Sequence, residues 1–212
     1  MYTLHAMGAT YVSIQAHTTN RGAVLTCARS FAGKHPDEFQ CYVGEVLGQW
    51  TAVYPSFSAV MDPFAKELSQ ALGCLALTLV SADEDEVLCN FCLAGRDYSY
   101  FKIEPGRKRS PKQQAPVAKK LALLEGILTG DQQKELLAYI SHPPDVLFSS
   151  DVLKTFCRTL AIVNATTSYD YILRNDYSAD LDRQVELVKI GSQYRRESCS
   201  WRLRPPASPR RC

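Results

Sequence analysis

A chain of 212 residues, 46% of them hydrophobic, is long enough to enclose one sizeable core and short for two. Its formal charge of +2 is uneven: beyond residue 194 six arginines (Arg195, Arg196, Arg202, Arg204, Arg210 and Arg211) face Glu197 alone, while the 18 basic and 21 acidic residues before them leave the rest mildly acidic. No apolar run approaches the roughly 20 residues that cross a bilayer, and MYTLHAMGAT lacks the basic start and apolar stretch of a signal peptide, so the expectation is a cytoplasmic protein without a membrane partner.

In chain order, the alternation from Ala9 to Gln15 predicts a first strand. Asn20 is placed to cap a helix over RGAVLTCARSFAG, whose Val24, Leu25, Ala28 and Phe31 recur on one face, and Gly33 marks its end. FQCYVGEVL (39–47) and the stretch from Trp50 to Tyr54 read as neighbouring strands joined through Gly48. Asp62 as N-cap and Pro63 at the first helical position predict a helix over 63–72 with Phe64, Leu68, Ala71 and Leu72 on its buried stripe. Gly73 releases the chain into LALTLV, almost wholly apolar and therefore expected to be central and covered on both faces. An acidic turn, then VLCNFCL and DYSYFKI, complete an antiparallel meander.

Residues 105–116, PGRKRSPKQQAP, hold three prolines, one glycine and four basic residues without a large hydrophobe, and read as a mobile surface loop separating sheet from helices. Beyond it, VAKKLALLEGIL and the segment begun at Asp131 show helical periodicity, and Ser150 or Asp151 is placed to cap VLKTFCRTLAIV. SYDYILRN is expected to pack back on the sheet and VELVKI to add an edge strand. The division expected is one α+β domain over 1–190, with a mainly antiparallel sheet of five or six strands, and a disordered, flexible basic Arg/Pro-rich tail over 191–212.

Candidate chemistry is sparse. Cys89 and Cys92 have redox or zinc spacing, but residues three apart on a strand face opposite ways, and no second such pair completes four ligands. The eight cysteines therefore read as buried, reduced thiols. His5, His17, His35 and His142 are scattered, none at the i, i+4 spacing that pairs imidazoles on a helix. GxSxG, GxGxxG and GxxxxGK[ST] are all missing, which removes local support for a nucleophile elbow, dinucleotide binding and phosphate-loop chemistry. Asp83, Glu84, Asp85 and Glu86 lack the glycine and spaced glutamate of a calcium loop and read as a solvated hairpin turn able to meet a basic protein partner. Arg107, Lys108, Arg109 and Lys112, continued by Lys119 and Lys120, could neutralise phosphates, but no stacking aromatic interrupts them, so nucleic acid is the less favoured partner. Tyr98 and Tyr100 fall on one strand face and Ser99 and Phe101 on the other, so one aromatic set is outward.

QWTAVYPS, DPFAKELSQALGC, LALTLVSADEDEVLCNFCLAG and DVLFSSDVLKTFCRTLAIVNATTSYDYI together resemble a group of uncharacterised bacterial proteins with a Trp and Tyr-Pro strand, a Leu-Ser helix, an aspartate-rich turn and a late helix. The resemblance spans roughly 45–175 and implies a fold, not an activity. Where that group carries His-Asp-Asp in the turn, this chain has Ser81, Ala82 and Asp83. The reading is a non-enzymatic protein-interaction module, immunity-like or regulatory, that needs no cofactor and works through the acidic turn and the strand edge beside it. The alternatives are a small metal-dependent hydrolase using Asp83, Asp85, His17 and a buried cysteine, and a nucleic-acid binder using the basic stretch and tail.

Overall fold

The computed structural model describes residues 10–56, 59–82, 85–146, 149–174 and 187–191; the arginine-rich tail beyond 191 lies outside them. The fold is α+β; among the described residues six helices pack on a seven-stranded antiparallel sheet, one or two strands more than the sequence predicts. The strands are β1 (Tyr11–Ala16), β2 (Cys41–Leu47), β3 (Trp50–Pro55), β4 (Leu75–Ala82), β5 (Glu86–Leu93), β6 (Arg96–Ile103) and β7 (Val188–Ile190), in spatial order β6-β5-β4-β1-β3-β2-β7. The helices are α1 (Arg21–Lys34), α2 (Met61–Leu72), α3 (Pro111–Ala122), α4 (Gly130–Ser141), α5 (Ser149–Thr159) and α6 (Tyr169–Arg174).

Strand alternation divides the core into layers. On one face Ile14, Ala16, Cys41, Val43, Val53, Ala76, Cys92 and Ile190 meet Val24, Ala28 and Phe31 of α1 and Phe64 and Leu68 of α2. On the other, Leu75, Leu77, Leu79, Val87, Cys89, Phe91, Phe101 and Ile103 meet Val117, Leu121, Leu136, Ile140, Val152, Leu153 and Phe156 from α3, α4 and α5. Farther along that second face, Ile172 of α6 packs on Ala52 and Tyr54. Residues 75–79 of β4 are buried without a break, as expected of a covered inner strand. The indole Nε1 of Trp50 donates to the Leu160 carbonyl at 2.8 Å, fastening β3 to the end of α5.

Helix starts show where local chemistry decides and where packing does. Asn20 caps α1, its side chain accepting from the Ala23 N–H at 3.0 Å. In α2 the cap is Val60, with no side-chain bond; Asp62 and Pro63 stand inside the first turn because the helix extends back to the buried Met61. Pro63 is still tolerated there, since the first helical N–H groups have no intrahelical acceptor. Ala71 is exposed, and the buried stripe is Met61, Phe64, Ala65, Leu68 and Ser69. Helix α5 already includes Ser149, so Ser150 and Asp151 are first-turn residues, and the buried Ser149 hydroxyl lies 2.6 Å from that of Ser81 on β4.

The basic stretch differs most from its reading as a loop. Helix α3 begins at Pro111 behind Ser110, whose backbone N–H donates to Gln113 Oε1 at 2.9 Å, so residues 111–116 are helical. Residues 105–110 are held by bonds from Gly106 N to Pro144 O (2.9 Å) and Arg109 N to Ser141 O (2.8 Å).

Candidate functional site

The β4–β5 hairpin carries the acidic turn. Asp83 and Glu84 lie outside the described residues; Asp85 is exposed, and Glu86 opens β5 with its carboxylate on Lys102 of β6. Alternation from Glu86 places Leu88 and Asn90 on the same face of β5, and the register sets Leu88 opposite Lys102 and Asn90 opposite Tyr100. This is the face that α1 and α2 cover elsewhere; here Leu88 and Asn90 are half-buried and Tyr100 keeps 58% of its surface exposed. Of the two candidate sets the outward one is that of Tyr100, while Phe101 is buried against Phe91; the Tyr98 and Ser99 side chains are outside the described set.

The surroundings of Tyr100 are acidic. Partial burial, followed by the negative charges of Glu86 and Asp62, pushes its hydroxyl above the ordinary phenol range, with Lys102 opposing. Asp62 is exposed at the start of α2 and comes to Tyr100 from a separate element. The site is thus an exposed tyrosine with Asp62 and Glu86 acting on its hydroxyl, beside a hairpin whose turn carries Asp85. It lies on the outermost strand pair of the sheet.

That edge is partly closed. Arg109 donates from its guanidinium to the carbonyls of Lys102 and, at 3.0 Å, Ile140, joining β6 to the end of α4. Arg107 pairs with Glu104, and Lys102 reaches the same carboxylate at 3.2 Å. Arg107, ahead of Lys102, holds the Glu104 carboxyl below its usual range. Lys108 and Lys112 are exposed. Lys102, Glu104, Arg107, Lys108, Arg109, Gln113 and Ile140 line a partly open cavity of about 220 Å³.

The thiols lack the setting of nucleophiles. Cys89 and Cys92 fall into opposite core layers, as their spacing on a strand requires. Cys92 donates from Sγ to Asp97 Oδ1 at 3.2 Å, and burial together with that carboxylate pushes its thiol up to about 12. Burial alone raises Cys41 to about 12. The His17 ring packs edge-on against Trp50, and the His17 backbone N–H donates to the Leu75 carbonyl at the start of β4, whereas Asp85 lies past that strand's end. The six strand steps from Leu75 to Ser81 alone span roughly 20 Å, so the sheet does not gather the hydrolase candidates His17 and Asp85. Among the described residues, no group of three or more His, Cys, Asp or Glu is placed to hold a metal ion, and no helix is long and apolar enough to cross a membrane.

Sequence reasoning missed two residues of this region. Asp62 reads as a helix cap, and only the strand order brings it to Tyr100. Glu104, next to the basic run, carried a signal in its i, i+3 spacing to Arg107. Comparison with protein-family models, with curated proteins and with solved structures finds no match.

Proposed function

We propose that this protein is a non-enzymatic interaction module whose acidic β4–β5 turn and the open face of β5–β6 receive a basic segment of a partner protein. The observation that carries it is Tyr100, a large exposed aromatic with Asp62 and Glu86 acting on its hydroxyl, beside the hairpin that leads to the turn with Asp85. A tyrosine gives an interface a rigid apolar body with a polar tip, and surrounding carboxylates select a cationic counterpart and speed its approach. Asp83 and Glu84 belong to the same acidic run in sequence. As part of the proposal the protein works in the cytoplasm, a reading that the free thiols Cys27, Cys41, Cys74, Cys89, Cys92 and Cys157 support.

The test is affinity capture from the native host's lysate, with the intact chain compared against a Tyr100→Ala/Asp85→Asn variant of unchanged thermal stability. The expected result is a protein retained by the intact chain, lost by the variant, and released as ionic strength rises. Retention of the same proteins by both forms would remove the site from the account.

A further inference from the structure

The cavity at the sheet edge is a second feature, separate from the Tyr100 face except for Lys102, and the interaction reading does not use it. It forms where the end of β6, the 105–110 turn, the start of α3 and the end of α4 meet. Four cationic side chains line it, Lys102, Arg107, Lys108 and Arg109, against the single carboxylate of Glu104. Concentrating like charge in one concavity raises its potential toward anions.

The donors differ in how they are held. Arg109 is fixed through Nε and one terminal nitrogen to the Ile140 and Lys102 carbonyls, so the remaining guanidinium nitrogen loses little freedom on meeting a ligand. The Oε1 of Gln113 accepts from the Ser110 N–H, leaving its Nε2 group as a neutral donor in the wall. Lys108 has no hydrogen-bond or ion-pair partner among the described residues. Glu104 is shared by Lys102 and Arg107 and acts as the resident counter-ion of the cavity. At about 220 Å³ the space is several times the roughly 30 Å³ share of one water, enough for a tetrahedral oxyanion and part of its carrier.

We propose that this cavity binds a phosphate dianion, free or as the phosphate monoester of a small molecule, with Arg107, Lys108, Arg109 and Gln113 as donors and Glu104 as the group the anion competes with. The bidentate fork of arginine and the point charge of lysine are the usual complement of phosphate oxygens. Neutralising Glu104 should free Arg107, while Lys102 keeps its pairing with Glu86, and tighten binding, a direction that a purely structural ion pair does not produce.

The experiment follows thermal unfolding and calorimetric titration of the full chain with inorganic phosphate and with pyrophosphate, at ionic strength matched by chloride. The expected result is a saturable rise in Tm, weakened about tenfold or more by Arg107→Ala/Lys108→Ala and strengthened by Glu104→Gln. The gain by Glu104→Gln keeps the test decisive should the double variant unfold. Shifts no larger than with chloride, or binding unaltered in both variants, would overturn it. So would length-dependent binding of a single-stranded oligonucleotide with no saturable response to phosphate alone, which assigns these cations to nucleic acid.

Discussion

Ala161 occupies the left-handed region at φ 53, just past the end of α5, where Ile162 N bonds to Cys157 O (2.9 Å) and Ala161 N to Arg158 O (3.0 Å). That is the paired closure in which glycine is favoured, because a Cβ crowds the backbone there. Ala161→Gly is therefore expected to stabilise the protein by about 0.5–1 kcal/mol, read as a higher urea midpoint at unchanged slope; a lower midpoint would contradict this reading of the turn. The thiols give a second test. Cys74 is raised to about 11 and Cys41 and Cys92 to about 12, from an ordinary 9.0, chiefly by burial. A thiol whose folded value is raised contributes stability that is complete below its unfolded value and lost as pH climbs through the folded one. Stability should thus fall between pH 9 and about 12, and in native protein at pH 8 iodoacetamide should label the half-buried Cys74 before Cys41 or Cys92. Rapid labelling of Cys92 would mean that its contact with Asp97 does not hold in solution.

Edge strands decide how a sheet meets its neighbours, and β6 is guarded by one side chain. Arg109 fills a hydrogen-bonding position on the Lys102 carbonyl that an incoming strand would otherwise use, and ties it to α4 through the Ile140 carbonyl. Arg109→Ala is expected to cost about 1–3 kcal/mol, since two carbonyls lose a charged donor, and to promote concentration-dependent association seen by sedimentation. A variant that is less stable yet strictly monomeric would limit Arg109 to holding the turn. This clamp was not legible in PGRKRSPKQQAP, whose composition reads as loop, although Ser110, Pro111 and Gln113 form a helix-start pattern within it. Local signals sufficed where the side chain itself makes the decisive bond, as at Asn20, and where strand alternation fixes a face, as at Cys89 and Cys92. They failed at Asp62, because burial of Met61 draws the helix start back past the better cap.

At the scale of the whole molecule, the strand order does what no single segment encodes. Placing β1 between β3 and β4 sends the meander β4-β5-β6 to one end of the sheet, beyond the full cover of α1 and α2. The outermost strands thereby keep one face open, and Tyr100, Glu86 and Lys102 occupy it. The alternation of DYSYFKI made an outward aromatic legible; that Asp62 shares its surroundings was not, since the two come from elements far apart in the chain. The most direct measurement places a photoreactive benzoylphenylalanine at Tyr100 and, as a control, at Leu123, also exposed but at the end of α3, with irradiation in host lysate. The account predicts a discrete protein adduct from position 100 that fades as salt rises, and none from position 123. Adducts of equal yield from both positions, or none from position 100, would contradict it.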